Sequence, residues 1–174
     1  MTEEILIACI GNIFLGDDGF GFEVAQALAG AALPPEVSVR DFGIRGLDLA
    51  YALLCPWKVV ILVDAIRRGG QPGSLSLLQP ADALTAQPSI DPHNMDPARV
   101  LATARSLGKV GAEIYILGCE PRDFGDPSID DPGSAPGDGR MGLSPPVAAA
   151  IPEAVSMIQS LVEKCVQALP QQAA

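Results

Sequence analysis

The chain has 174 residues, 48% of them apolar, and a formal net charge of −10. That length and apolar share suit one folded domain with its own core and exclude a disordered chain. A field this negative repels phosphate backbones and anionic lipid, which argues against nucleic-acid and membrane-surface roles and favours cations or a basic partner.

Cys9, Cys55, Cys119 and Cys165 are far apart and form no CxxC pair. This spacing argues against a zinc ribbon or a secreted disulfide scaffold and suits the reduced thiols of a cytoplasmic enzyme. The start is acidic, the apolar run at 5–10 is too short for a signal-peptide core, and no run reaches transmembrane length. A monomer in the cytoplasm is the expectation.

In chain order, 5–10 is an apolar run with turn residues directly after it, the pattern of a strand buried on both faces. Phe20, Val24, Leu28 and Ala31 then mark one stripe of a helix, which Pro34 and Pro35 stop. The spacing predicts a strand over 37–42, a loop at Gly43 to Gly46 and a short helix over 47–54. The run 59–63 is wholly apolar and predicts the central strand, and another strand follows at 75–78 after a Gly- and Pro-rich turn. Asp96 and Pro97 read as N-cap and first residue of a helix carrying Val100, Leu101, Ala104 and Leu107. A last strand is expected at 113–117, and Ser144-Pro145 repeats the cap signature before a C-terminal helix. Pro152 should kink that helix or mark its start.

Strands alternating with helices predict a single α/β domain over 1–174, with a mostly parallel sheet and helices on both faces. The Gly-, Pro- and Asp-rich stretch at 122–140 reads as a flexible exposed loop, and the tail frays from about 170.

In such a sheet, ligands gather at the C-terminal ends of the strands. Asp17 and Asp18 follow the first strand, Asp64 ends the central one, and His93, the only histidine, stands in the loop Asp91-Pro92-His93-Asn94. Carboxylates with one imidazole suit a borderline divalent cation such as nickel, zinc or manganese. One aspartate of the Asp17-Asp18 pair also suits a helix cap, whereas a charge closing an all-apolar strand must meet water, a partner or a metal. The glycine-rich turn from Gly11 to Gly21 is no phosphate loop, because two aspartates stand where a Walker A sequence places Lys and Ser/Thr. Its glycines let the backbone pass closely beneath a metal-bearing peptide. Cys119 paired with His93 is a second candidate, a thiolate nucleophile, against the plainer reading of a small core residue. Ser144 reads as an N-cap, and Arg45 either meets a carboxylate or stays solvated.

The ordered set Gly11-Asn12…Gly16-Asp17-Asp18-Gly19…Gly21, Asp64-Ala65-Ile66 and Asp91-Pro92-His93 resembles the nickel-iron hydrogenase maturation endopeptidases. The resemblance extends to Gly43–Gly46, Pro72-Gly73, Gly118-Cys119-Glu120-Pro121 and Gly142-Leu143-Ser144-Pro145. It implies an α/β endopeptidase that removes a C-terminal extension from a hydrogenase large-subunit precursor after nickel insertion. Asp18, Asp64 and His93 would then be the catalytic and metal-contacting residues, on nickel that arrives with the precursor. Asp17 is left as the helix cap. Two features depart from the family: Asp18 stands where many relatives carry Glu, one methylene longer, and the stretch 122–140 is longer than usual. Readings from other classes are a nickel- or precursor-binding chaperone that does not cut, and the Cys119/His93 hydrolase on a small substrate.

Overall fold

A computed structural model describes residues 3–80, 96–124 and 141–169. Five strands form one sheet: β1 (Ile5–Ile10), β2 (Val37–Gly43), β3 (Val59–Ala65), β4 (Leu75–Leu78) and β5 (Glu113–Cys119). The helices are α1 (Phe20–Ala29), α2 (Gly46–Ala52), α3 (Pro97–Leu107) and α4 (Pro145–Ala168), with a 3₁₀ turn at Gly16–Gly19 leading into α1. The strand order is β2-β1-β3-β5-β4. All neighbours run parallel except β4, which lies antiparallel on β5 at the edge. The expected mostly parallel α/β sheet is therefore present, with β3 at its centre.

Alternation along the strands sorts the core into two layers. Ile5, Ile7, Cys9, Ile61 and Val63 pack with Phe20, Val24 and Leu28 of α1 and Val147, Ala154, Ile158 and Val162 of α4. On the opposite face, Leu6, Ala8, Val60, Leu62 and Ile116 meet Leu49 and Leu53 of the α2 region and Val100, Leu101 and Ala104 of α3. Both faces of β1 and β3 are thus covered, which is why these strands read as unbroken apolar runs.

Two boundaries differ from the sequence reading. β3 runs on to Ala65, so Asp64 sits inside the strand, opposite Gly118 of β5, rather than just past its end. The C-terminal helix begins at Pro145 and continues through Pro152, so Pro152 does not mark its start. The ring removes one intrahelical donor there, but Val147 and Ala150 before it and Ala154 and Ile158 after it share one core layer. That common packing holds both halves in one helix. Residues 125–140 of the expected loop, and the tail from 170, lie outside the described residues.

Candidate functional site

The chain passes from β1 outward to β2 and then returns to β3 on the other side of β1. The connections leaving β1 and β3 therefore diverge, and an open α/β sheet forms its crevice at such a switch point. Asp18 follows β1 and Asp64 is the last residue but one of β3, so the topology brings both sequence-selected aspartates to this end of the sheet.

Close backbone contacts shape the turn that carries Asp18. Gly11 has φ +141°, and a Cβ added there would overlap the carbonyl oxygen of Asp18. Gly21 presses on the sheet so closely that a Cβ would overlap the Ile10 carbonyl. Only glycine permits both approaches. The Asn12 N–H then donates to Asp18 Oδ2 at 2.9 Å, fixing the carboxylate over the turn. Asp18 is 6% exposed.

Asp64 is 2% exposed. Its Oδ1 accepts the Ala65 N–H at 2.8 Å, and no hydrogen bond to Oδ2 is found among the described residues. Burial, first, pushes this carboxyl well above the usual carboxylate range. The negative charge of Asp18 pushes it further, the Ala65 donor opposes the shift, and Asp96 adds to it. A buried carboxyl beside a like charge favours its protonated form, or a cation beside it. Asp96 caps α3 by accepting the Ala98 N–H at 2.8 Å. The sequence showed that cap and gave no sign that its charge reaches Asp64.

Asp17, one residue before Asp18, has a different task. Its side chain accepts the Arg122 N–H at 2.7 Å, the Asp123 N–H at 3.1 Å, the Ser144 N–H at 2.6 Å and the Ser144 hydroxyl at 2.8 Å. The expectation that Asp17 caps α1 is corrected: the cap position is Gly19, with no side-chain cap bond. The 3₁₀ turn directs Asp17 toward the β5 exit loop and the start of α4, where four orphan donors await an acceptor. Ser144 does occupy the N-cap position of α4, yet its hydroxyl serves Asp17 instead of the helix. The first residues of the 122–140 stretch are accordingly tied down.

A second buried acid repeats this device. Glu120 accepts the Arg68 N–H at 2.7 Å and the Gly69 N–H at 3.2 Å, joining the β3 and β5 exit loops. Sequence reading assigned no role to Glu120 or Asn12. Their only signal was a place in motifs flanking strand ends.

His93 lies outside the described residues. Among the described residues, no three His, Cys, Asp or Glu side chains converge as a metal-holding group. Cys119 is buried, and its thiol is pushed up to about 12 by burial first and then by Asp17 and Glu120. A buried, protonated thiol is a poor nucleophile, which counts against the Cys119 reading. Arg45 stays exposed, bonded to the carbonyls of Asp41 and Phe42 at 2.6 and 3.1 Å. No helix among the described residues is long and apolar enough to cross a membrane.

The HycI family model, described as hydrogenase maturation protease, matches residues 22–161. The delta subunit of coenzyme F420 hydrogenase from Methanothermobacter thermautotrophicus is 32% identical over 160 residues, covering 89% of this chain and 92% of that protein. The hydrogenase 2 maturation protease of Escherichia coli is 28% identical over 174 residues, covering 98% of each chain. The structure of the hydrogenase maturating endopeptidase HybD from E. coli superposes with a TM-score of 0.74 at 26% identity, over 95% of this chain and 94% of that one.

Proposed function

The chain belongs to the hydrogenase maturation protease family, and from that premise we propose that it cuts a C-terminal extension from a nickel-loaded hydrogenase large-subunit precursor in the cytoplasm. The observation carrying this reading is the buried Asp64, with one oxygen engaged by Ala65 and the charge of Asp18 acting on it.

Asp64 and Asp18 read the nickel that the precursor carries. An ionised carboxylate buried without a partner costs several kcal/mol, on the order of a whole domain's margin of stability. Asp64 therefore retains its proton in the absence of a cation, and releases it when a divalent ion offers two charges. His93 completes the donor set in this proposal. What supports it is the resemblance of Asp91-Pro92-His93 to the family's pattern. Bound nickel would polarise the scissile carbonyl or a water. Asp64, once deprotonated, would accept a proton from the attacking water.

The test is incubation of the protein with nickel-loaded and nickel-free precursor, followed by intact-mass spectrometry. Loss of a C-terminal peptide only from the nickel-loaded form is expected. Tight binding with unchanged mass would establish a chaperone instead and overturn the peptidase reading for this precursor.

A further inference from the structure

We propose that the side-chain amide of Asn12 donates a hydrogen bond to a main-chain carbonyl of the precursor beside the scissile bond; this rests on the proposed cleavage and deepens it by naming a residue that holds the peptide.

Asn12 follows β1 by two residues and is half-buried. Its backbone and its side chain have separate partners. The backbone N–H donates to Asp18 Oδ2 at 2.9 Å, so residue 12 touches the carboxylate proposed to meet nickel. The side-chain Oδ1 accepts the Phe14 N–H at 3.0 Å, closing an Asx turn. An N–H cannot face an NH2 group, so this bond fixes which end of the carboxamide is which. Among the described residues, no hydrogen bond from Asn12 Nδ2 is found. The turn that carries it is well held. The Leu15 N–H donates to the Asn12 carbonyl at 3.1 Å, and the Asp18 N–H to the Leu15 carbonyl at 3.0 Å. Four covalent bonds separate the Asn12 nitrogen from Nδ2, so the NH2 lies within about 8 Å of the Asp18 carboxylate in any rotamer.

A peptide brought to Asp18 passes through that range. One extended residue covers about 3.3–3.6 Å, so carbonyls one or two residues from the reacting bond come within reach of the NH2. In the proposed reaction nickel acts on the scissile carbonyl or on the attacking water, which leaves the neighbouring carbonyls for the protein to hold. The NH2 can only donate, so its partner is an acceptor. A carboxylate of the precursor would meet Asp18, Asp64 and a chain of net charge −10, all of which repel it once ionised. A neutral peptide carbonyl escapes that repulsion, and every extension supplies one whatever its sequence. An amide donor also adds no charge beside the metal. Because the turn is fixed before the peptide arrives, little side-chain entropy is lost in making the bond.

The experiment uses the full chain, its Asn12→Ser and Asn12→Ala variants, and nickel-loaded precursor. Binding, cleavage and urea unfolding are measured separately. Serine keeps an oxygen for the Phe14 N–H but ends one bond short of the NH2, whereas alanine removes both groups. The bond to Asp18 comes from the backbone and survives in each variant. Asn12→Ser should be more stable than Asn12→Ala, yet both should bind the precursor about five-fold more weakly than the wild type. KM should rise by the same factor and kcat stay within about two-fold, because the bond is made equally before and during cleavage. A purely structural Asn12 would let serine recover binding together with stability, and that result would overturn the proposal. Wild-type KM with a lowered kcat would overturn it too, by placing the effect on the chemistry instead of the peptide. If Asn12→Ser unfolds as early as Asn12→Ala, Asn12→Asp decides. It keeps the acceptor and lacks the NH2, and at high salt, which screens its added charge, wild-type binding would overturn the contact. Weaker binding by Asn12→Ser when neither protein cuts would defeat the peptidase reading and leave the contact standing.

Discussion

Asp17 and Asp64 are both buried aspartates at the same end of the same sheet, and they differ in what their oxygens meet. Asp17 receives four donors from two loops, while Asp64 receives one and feels two further acids. A buried carboxyl with its acceptor sites filled is a fastener. A buried carboxyl with an open oxygen and like charges around it is held in readiness for a cation or a proton. Burial alone does not separate the two; the count of donors does.

The comparison breaks most visibly at Asp64. Asp64→Asn should lower cleavage of nickel-loaded precursor by at least about 100-fold, with a thermal midpoint equal to or above the wild type's. Cleavage at the wild-type rate would make Asp64 a structural residue like Asp17.

Asp17→Ala should do the reverse. Two pairs of donors lose their acceptor, and each hydrogen bond to a charged group contributes roughly 1.5–3 kcal/mol. A loss of about 3 kcal/mol or more in urea unfolding is expected, with cleavage falling only as the folded fraction falls and Asp18 loosens. An unchanged urea midpoint would show that the fastener role is misassigned.

A smaller effect sharpens the electrostatic half of the comparison. Asp64 titrates higher when folded than when unfolded, so in metal-free protein the unfolded chain loses that proton first as pH rises. Stability should then fall with rising pH above about 4, by at most ~1.4 kcal/mol per pH unit from this one group, until the folded carboxyl also ionises. Below the unfolded value the penalty vanishes. Asp64→Asn should remove that part of the slope, which the difference between wild-type and variant urea midpoints across pH 4–8 would measure.

The least effect is expected at Cys119. Cys119→Ala should leave kcat within about two-fold of the wild type, since a thiol titrating near 12 supplies no nucleophile. Iodoacetamide at pH 8 should label the exposed Cys55 and spare buried Cys9 and Cys119 in the folded protein. Rapid labelling of Cys119 would reopen the thiol reading.

Local chemistry made much of this legible before any coordinates. Apolar runs bounded by turn residues placed β1 and β3, because a strand covered on both faces admits no polar residue, and alternation placed β2. The Asp96-Pro97 pair placed a helix start, because its requirements are met within three residues. Asp64 stood out as a charge following five apolar residues. What the sequence could not decide was the division of labour between Asp17 and Asp18. Both answer to the same local pattern, and the donors that claim Asp17 stand more than a hundred residues away. Glu120 is hidden for the same reason: its partners come from a separate connection. Sequence alone determined which segments are strands and which residues are chemically able to act. Tertiary structure decided which acids are satisfied, since hydrogen-bond partners distant in the chain meet only when the sheet closes.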